Sequence, residues 1–191
     1  MHIAIEGIDG VGKSTAARML AEVLNCKLIE KPLHFLFDEK DDDNYIRIRD
    51  IVNKNKNKKF TAWFYGLGNI YLYEKFKDIN IVTDRHILSN YCWSGSDESD
   101  YVFDAIFQTV GAPTFTFLIY ANPESVRKRL LQRDPNDSDL KKVDYIPVAY
   151  EKMTRILNKY PMPHKIIDTS DMNAQEVVKN MINTLKESGI I

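Results

Sequence analysis

Short apolar runs rich in β-branched residues alternate along this chain with longer stretches in which apolar positions recur at every third or fourth residue. The short runs predict buried strands over 3–6, 27–30, 79–83, 114–121 and 164–168. The longer stretches predict helices over 15–24, 44–52, 61–76, 101–110, 123–133, 143–160 and 174–187. In the first of these, Ala16, Ala17, Met19, Leu20, Val23 and Leu24 keep helical spacing. Strands alternating with helices make a parallel sheet covered on both faces. The expected fold is therefore α/β, three layers in the order α/β/α around five parallel strands. Ligands of such sheets sit beyond the carboxyl ends of the strands. Asn122-Pro123-Glu124 sets an N-cap before a proline at the first helical position, and Asp171 or Asn173 offers a cap to the last helix.

With 191 residues, 44% of them hydrophobic, the chain is expected to form one domain over 1–191 with a substantial core. No apolar run approaches the roughly 18 residues of a membrane span, and the first strand begins at once, so neither a membrane nor a secretory leader is expected. Cys26 and Cys92 lack metal-site spacing, which suits reduced thiols in a cytoplasmic protein. A net charge of −1 argues against nucleic acid as a partner. The acidic block Asp38-Glu39-Lys40-Asp41-Asp42-Asp43 and the basic block Lys54-Asn55-Lys56-Asn57-Lys58-Lys59 read as solvated segments.

Between the first strand and the first helix lies Gly7-Ile8-Asp9-Gly10-Val11-Gly12-Lys13-Ser14, followed by Thr15, and it fits G-x-x-x-x-G-K-[ST] at every position. Glycines let the backbone curl until successive N–H groups point inward at an anion, and the helix that follows adds the positive end of its dipole. The segment reads as a phosphate cradle for a nucleoside triphosphate, from Gly7 through Gly10, Val11 and Gly12 to Thr15. Lys13 is a point charge long enough to reach the outer phosphates, and the Ser14 hydroxyl suits the Mg²⁺ that accompanies a nucleoside triphosphate. A GTPase switch would need N-K-x-D at a strand end. Asn53-Lys54-Asn55-Lys56 lacks the acid.

The strand over 79–83 runs into Asp84-Arg85. A carboxylate there is placed to ligate Mg²⁺ or its water, and Arg85 to clamp a phosphate bidentately; a structural Asp–Arg pair is the alternative. Farther on, Arg129 and Arg133 lie one turn apart on a basic helix, whereas Arg127 reads as solvated. Asp134 to Asp139 has turn chemistry and little apolar content, which predicts an exposed, mobile loop. Cations beside such a loop are what a lid requires, here about residues 133–143, because they arrive over the transferring group and exclude water. Most of the aromatic residues read as core, with Phe64 and Trp93 as candidates to stack on a base.

Taken together, IAIEGIDGVGKST, TDRHILSNYCW, ANPESVRKRLLQRD, YIPVAYEKM and HKIIDTSDMNAQEVV resemble the thymidylate kinase and deoxynucleoside kinase branch of the P-loop kinases, over nearly the whole chain. The first two motifs carry most of the specificity. The resemblance implies a nucleoside monophosphate kinase-like fold, ATP as donor with Mg²⁺, and thymidylate or a close deoxynucleotide as acceptor. It also implies that Asp9 and the Asp84-Arg85 pair organise metal and acceptor, that Asn90 contacts the base, and that Arg129 and Arg133 bracket the transferring phosphoryl group. Similar proteins are usually homodimers packed through helices. Because Gly10 stands where some members carry an arginine, the lid is left to supply that charge.

Three places depart from the thymidylate kinase pattern. His86 replaces the tyrosine after the Asp-Arg pair, Gly68 and Asn69 fall where an arginine follows the stacking phenylalanine, and Glu30-Lys31-Pro32-Leu33-His34 stands for R-E-P-G-G. Without that arginine a nucleoside acceptor stays open, with Glu30 or Asp84 as base toward a 5′-hydroxyl. A nucleotide-binding regulatory homologue without kinase activity is a third reading.

Overall fold

The computed structural model describes residues 1–38 and 43–191. Five parallel strands form one sheet: β1 (His2–Glu6), β2 (Lys27–Glu30), β3 (Ile81–Asp84), β4 (Phe115–Tyr120) and β5 (His164–Asp168), in the order β2-β3-β1-β4-β5. The middle strand, β1, pairs with β3 through Ile3↔Val82 and with β4 through Ile5↔Phe117. Every residue of β1 is buried. Helices must then cover both faces, which is why its apolar residues run on without polar alternation.

The helices among the described residues are α1 (Lys13–Val23), α2 (His34–Phe37), α3 (Asp43–Asn53), α4 (Lys58–Phe76), α5 (Ile87–Ser94), α6 (Asp100–Val110), α7 (Pro123–Arg133), α8 (Ile146–Lys159) and α9 (Ala174–Glu187). Two 3₁₀ segments, Asp97–Ser99 and Ser138–Tyr145, join them. α1 packs on α9, while α4 packs on α5 and α6, and α5 on α8. This is the layered α/β arrangement expected from the alternation. The chain winds from β1 to β2 and β3 on one side, then crosses to β4 and β5 on the other. A crevice therefore opens at the carboxyl end of β1, where the winding reverses. Asn122 caps α7 by accepting from the Ser125 amide at 2.8 Å. Asn173, not Asp171, caps α9, in a reciprocal box with Glu176.

Four features differ from the expectation, each for a local reason. Helix α5 shows no helical period because Ile87, Leu88, Ser89, Asn90, Tyr91 and Cys92 are all buried; it has no polar face to alternate. The helix expected over 143–160 begins at Ile146, since the preceding residues wind as the 3₁₀ segment. That segment also occupies part of the stretch expected as loop, although residues 134–136 are exposed as expected. Finally, Asp38 is not solvated: its carboxylate accepts from the Asn44 amide and the Tyr45 N–H, both at 2.6 Å. Residues 39–42 of that acidic block lie outside the described residues.

Candidate active site

The phosphate loop leaves β1 at Glu6 and returns as α1. Gly12 caps α1 at φ 96°, in the left-handed region that favours glycine. At Gly7 a Cβ would meet the Ile119 carbonyl oxygen at 2.5 Å, so no side chain fits there. Lys13 is buried inside this curl, and its ammonium donates to the Ile8 carbonyl at 2.7 Å. Burial and the Arg85 guanidinium pull its pKa down to about 8, against the carboxylates of Asp9, Asp84 and Glu6. Gly12, Ser14 and Thr15 are exposed at the start of α1, beside Gly10 and the buried Val11.

Ser14 donates to Oδ2 of Asp84 at 2.5 Å, while Oδ1 of Asp84 is buried with no partner among the described residues. A hydroxyl and a carboxylate with a spare oxygen are hard donors suited to Mg²⁺. Among the described residues no group of three or more His, Cys, Asp or Glu could hold a metal ion. A cation held here would complete its shell with phosphate oxygens and water, as Mg²⁺ does at nucleotide sites. The residues present fit the ion.

Arg85 follows Asp84 with φ 81°, a conformation that costs a non-glycine residue about 1–3 kcal/mol and persists only where the surroundings enforce it. Its guanidinium donates to the Gly7 carbonyl at 3.3 Å, to Ser89 Oγ at 3.4 Å and to the Asp9 carboxylate. Lys142 reaches the other oxygen of Asp9 at 3.0 Å. Burial pushes the Asp9 carboxyl up, but Arg85, Lys13 and Lys142 outweigh it and hold the group below the usual carboxylate range. Beneath this cluster lies Glu6, fully buried, accepting from the Leu88 N–H at 2.8 Å, the Ser89 N–H at 3.1 Å and the Ser89 hydroxyl. Glu6 thereby fixes the start of α5 against β1. His86, in the tyrosine position, is buried edge-on against His2 at 4.9 Å, and burial lowers its pKa to about 3, so it is neutral.

A cleft of about 250 Å³ opens on the other flank of the loop, between Val11, Gly12, Thr15, Arg129, Thr169 and Asn173. The two lid arginines part company here. Arg129 donates to the carbonyls of Val11 and Thr169 and to the Thr169 hydroxyl, which ties α7 to the turn after β5 and sets the guanidinium in the cleft wall. Arg133 instead pairs with Asp137 and Asp139 and is largely exposed. The two arginines expected to bracket one group thus have different partners: Arg129 lies in the cleft wall, and Arg133 pairs with the acids that follow α7. Lys142, which the sequence did not single out, is a cation of the 3₁₀ segment that touches the loop at Asp9. Thr169 was missed too, for its only signal is its place at the end of β5.

On the opposite side, Phe64 lies parallel to Phe37, with ring centres 6.4 Å apart and 7° between planes. The Tyr65 hydroxyl donates to Asn53 Oδ1 at 2.6 Å, and the charges of Arg49 and Arg85 both act on it. Asn90 donates to the Ala62 carbonyl at 3.1 Å, and its own Oδ1 is buried without a partner among the described residues, as is that of Asn69. A Cβ on Gly68 would stand 3.1 Å from Leu33, so a side chain in place of the glycine asks the Leu33 side chain to give by a few tenths of an ångström. Glu30 pairs in register with Asp84 at the carboxyl edge of the sheet. Trp93 does not join these residues. It stacks on Tyr145 at 5.5 Å under the Lys142 ammonium.

Residues 5–182 match the family described as thymidylate kinase. The chain belongs to the thymidylate kinase family. It is thus a nucleotide kinase, a phosphotransferase. Thymidylate kinase of Nautilia profundicola is 28% identical over 93% of this chain and 92% of its own length, and the probable thymidylate kinase of Methanocaldococcus jannaschii 25% identical over 97% and 96%. The fold is shared with thymidylate kinase of Candida albicans (TM-score 0.72, 18% identity, 99% of this chain and 92% of that one). It is shared also with a deoxyadenosine kinase from M. mycoides (TM-score 0.68, 15% identity, 98% and 100%).

Proposed function

We propose that this chain transfers the terminal phosphoryl group of ATP to thymidylate, giving ADP and thymidine diphosphate. The observation that carries the reading is one juxtaposition: within a thymidylate kinase family chain, the phosphate loop and the Asp84-Arg85 strand end meet through Ser14–Asp84 and Asp9–Arg85. The loop amides from Gly7 to Thr15 and the Lys13 ammonium hold the polyphosphate, and the cleft walled by Arg129 and Thr169 receives the purine. Ser14 and Asp84 would hold Mg²⁺, which when bound would supply neutralisation of the phosphoryl charge.

Arg85 presents its fork toward the acceptor, with Asp9 fixing its orientation, and positioning with charge neutralisation supplies the catalysis. Arg49, held against Asp50 at 2.9 Å, is a further cation on the Tyr65 side. Phe64 stacks on the acceptor base, and Asn90 offers its unpaired oxygen to the base edge. Arg133 and Lys142 approach on a lid of about residues 133–143, and the whole chain, 1–191, acts as one kinase unit.

A deoxynucleoside acceptor is the second reading, favoured by the glycine at position 68 and by Glu30 beside Asp84 at the strand ends. A homodimer is proposed through α4, whose Phe60, Trp63 and Leu67 form one exposed apolar stripe. A cytoplasmic location accords with two free thiols, Cys26 and Cys92, and among the described residues no helix is long and apolar enough to cross a membrane. Incubation with labelled ATP, Mg²⁺ and a panel of deoxynucleosides and their monophosphates tests the reading. Label on thymidylate supports it, label on a nucleoside alone favours the second, and label on no acceptor leaves a nucleotide-binding homologue.

A further inference from the structure

The lid carries its own counter-ions. Asp139 reaches Arg133 at 3.2 Å with one carboxylate oxygen and Lys142 at 2.8 Å with the other, so a single acid grips both lid cations. Lys142 continues to Asp9 of the loop at 3.0 Å, and Asp9 to Arg85. Charges thus alternate along Arg133, Asp139, Lys142, Asp9 and Arg85, from the tip of α7 to the acceptor side. Asp139 is the inner member of this chain: its side chain is 20% exposed, against 57% for Arg133 and 42% for Lys142. A carboxylate bridging a guanidinium and an ammonium satisfies the same donors that a terminal phosphate would.

We propose that Asp139 is a positioning residue that stands in for the terminal phosphate of the nucleotide. In the free chain it holds Arg133 and Lys142 in a neutralised arrangement, and bound polyphosphate engages them by displacing it. The proposal rests on the reading of the loop as an ATP site. Two consequences follow from competition between one carboxylate and a polyanion for the same cations. Removing the carboxylate's charge strengthens nucleotide binding, because the cations no longer have to be released first. It also frees the lid to settle over the donor before an acceptor arrives, which raises hydrolysis of ATP relative to transfer.

The test is calorimetric titration of MgATP into the wild-type chain, Asp139→Asn and Asp139→Glu, with acceptor-free ATP hydrolysis measured in parallel. Loss of two half-exposed ion pairs predicts binding tighter by roughly threefold to tenfold in Asp139→Asn, with Asp139→Glu returning close to wild type. Asp137 remains to hold part of Arg133, which keeps the gain modest. Hydrolysis without acceptor should rise in Asp139→Asn. Damage to the lid alone would weaken binding, so equal or weaker binding in Asp139→Asn overturns the proposal. Asp139→Ser serves as a second variant should Asn fold poorly. Failure of the wild-type chain to bind MgATP is a different result, and it would overturn the reading of the loop itself.

Discussion

Arg85 and Asp9, 76 residues apart in the chain, are joined by an ion pair that fastens the end of β3 to the phosphate loop. The same guanidinium also donates to the Gly7 carbonyl and Ser89 Oγ. A planar fork meets three partners at once, and an ammonium on a flexible stem does not. Arg85→Lys is therefore expected to lose kcat/KM by about 10²-fold, close to the loss in Arg85→Ala, while remaining folded. Steady-state kinetics beside thermal melts check this; near-normal turnover in Arg85→Lys would show that only the charge matters.

Lys13 has a pKa lowered to about 8 by burial and by Arg85. The unfolded chain holds this proton up to its ordinary 10.5, so between about pH 8 and 10.5 unfolding takes up a proton. The site's contribution to stability is lowest below pH 8 and grows as pH rises through that window. Nucleotide binding runs the other way, since the loop loses its cation above about pH 8 and MgATP affinity falls. Lys13→Arg stays charged and should abolish this pH dependence. Titrations at about pH 7, 8 and 9 read both effects.

Glu6 supports α5 through three accepted hydrogen bonds in a fully buried site. Glu6→Ala strands the Leu88 and Ser89 amides and is expected to cost about 2–4 kcal/mol in denaturant unfolding. Glu6→Gln keeps one oxygen and the shape, so it should cost clearly less. Equal losses in both variants would mean that the charge, and not the cap, is what matters.

Arg129 and Arg133 should fail in different ways. Arg129→Ala takes the guanidinium donor from the Thr169 carbonyl and leaves the Val11 carbonyl to the Thr169 hydroxyl alone, so ATP KM rises and stability drops by about 1–3 kcal/mol. Arg133→Ala removes only exposed ion pairs, so stability changes by less than about 1 kcal/mol while kcat falls roughly 10²-fold. A fall in kcat for Arg129→Ala with KM unchanged would return that residue to the transferring group.

Phe60, Trp63 and Leu67 are 47%, 42% and 43% exposed at i, i+3 and i+7 of α4, a stripe too apolar to be left to water. Trp63→Glu together with Leu67→Glu should convert a dimer into a folded monomer. Sedimentation velocity checks it, and an unchanged sedimentation coefficient would place the dimer contact elsewhere or remove it.

The residues themselves explain how far the sequence could be read. The central strands β1, β3 and β4 and the loop from Gly7 to Thr15 were legible because burial on two faces and phosphate binding each demand a distinctive pattern at fixed spacing. The mostly exposed edge strands β2 and β5 were read from their short apolar runs. Helix α5 was not legible, since a helix buried all round has no amphipathic period, and its start is held by Glu6 from another strand. Partners were the other gap. Arg129 and Arg133 look equivalent on a helical wheel, yet the Thr169 turn claims one and Asp139 the other, both contacts made only by folding. Lys142 was invisible for the same reason: Asp9 lies 133 residues away. Trp93 and Phe64 present equal aromatic faces to a reader of sequence, and only Tyr145 and Phe37 tell them apart.

The most direct measurement is phosphorus NMR of the folded chain mixed with ATP, Mg²⁺ and thymidylate. Signals of ADP and thymidine diphosphate growing in equal amounts are the predicted result. Inorganic phosphate growing in place of thymidine diphosphate, or no change in the ATP signals, would contradict the assignment of phosphoryl transfer to this site.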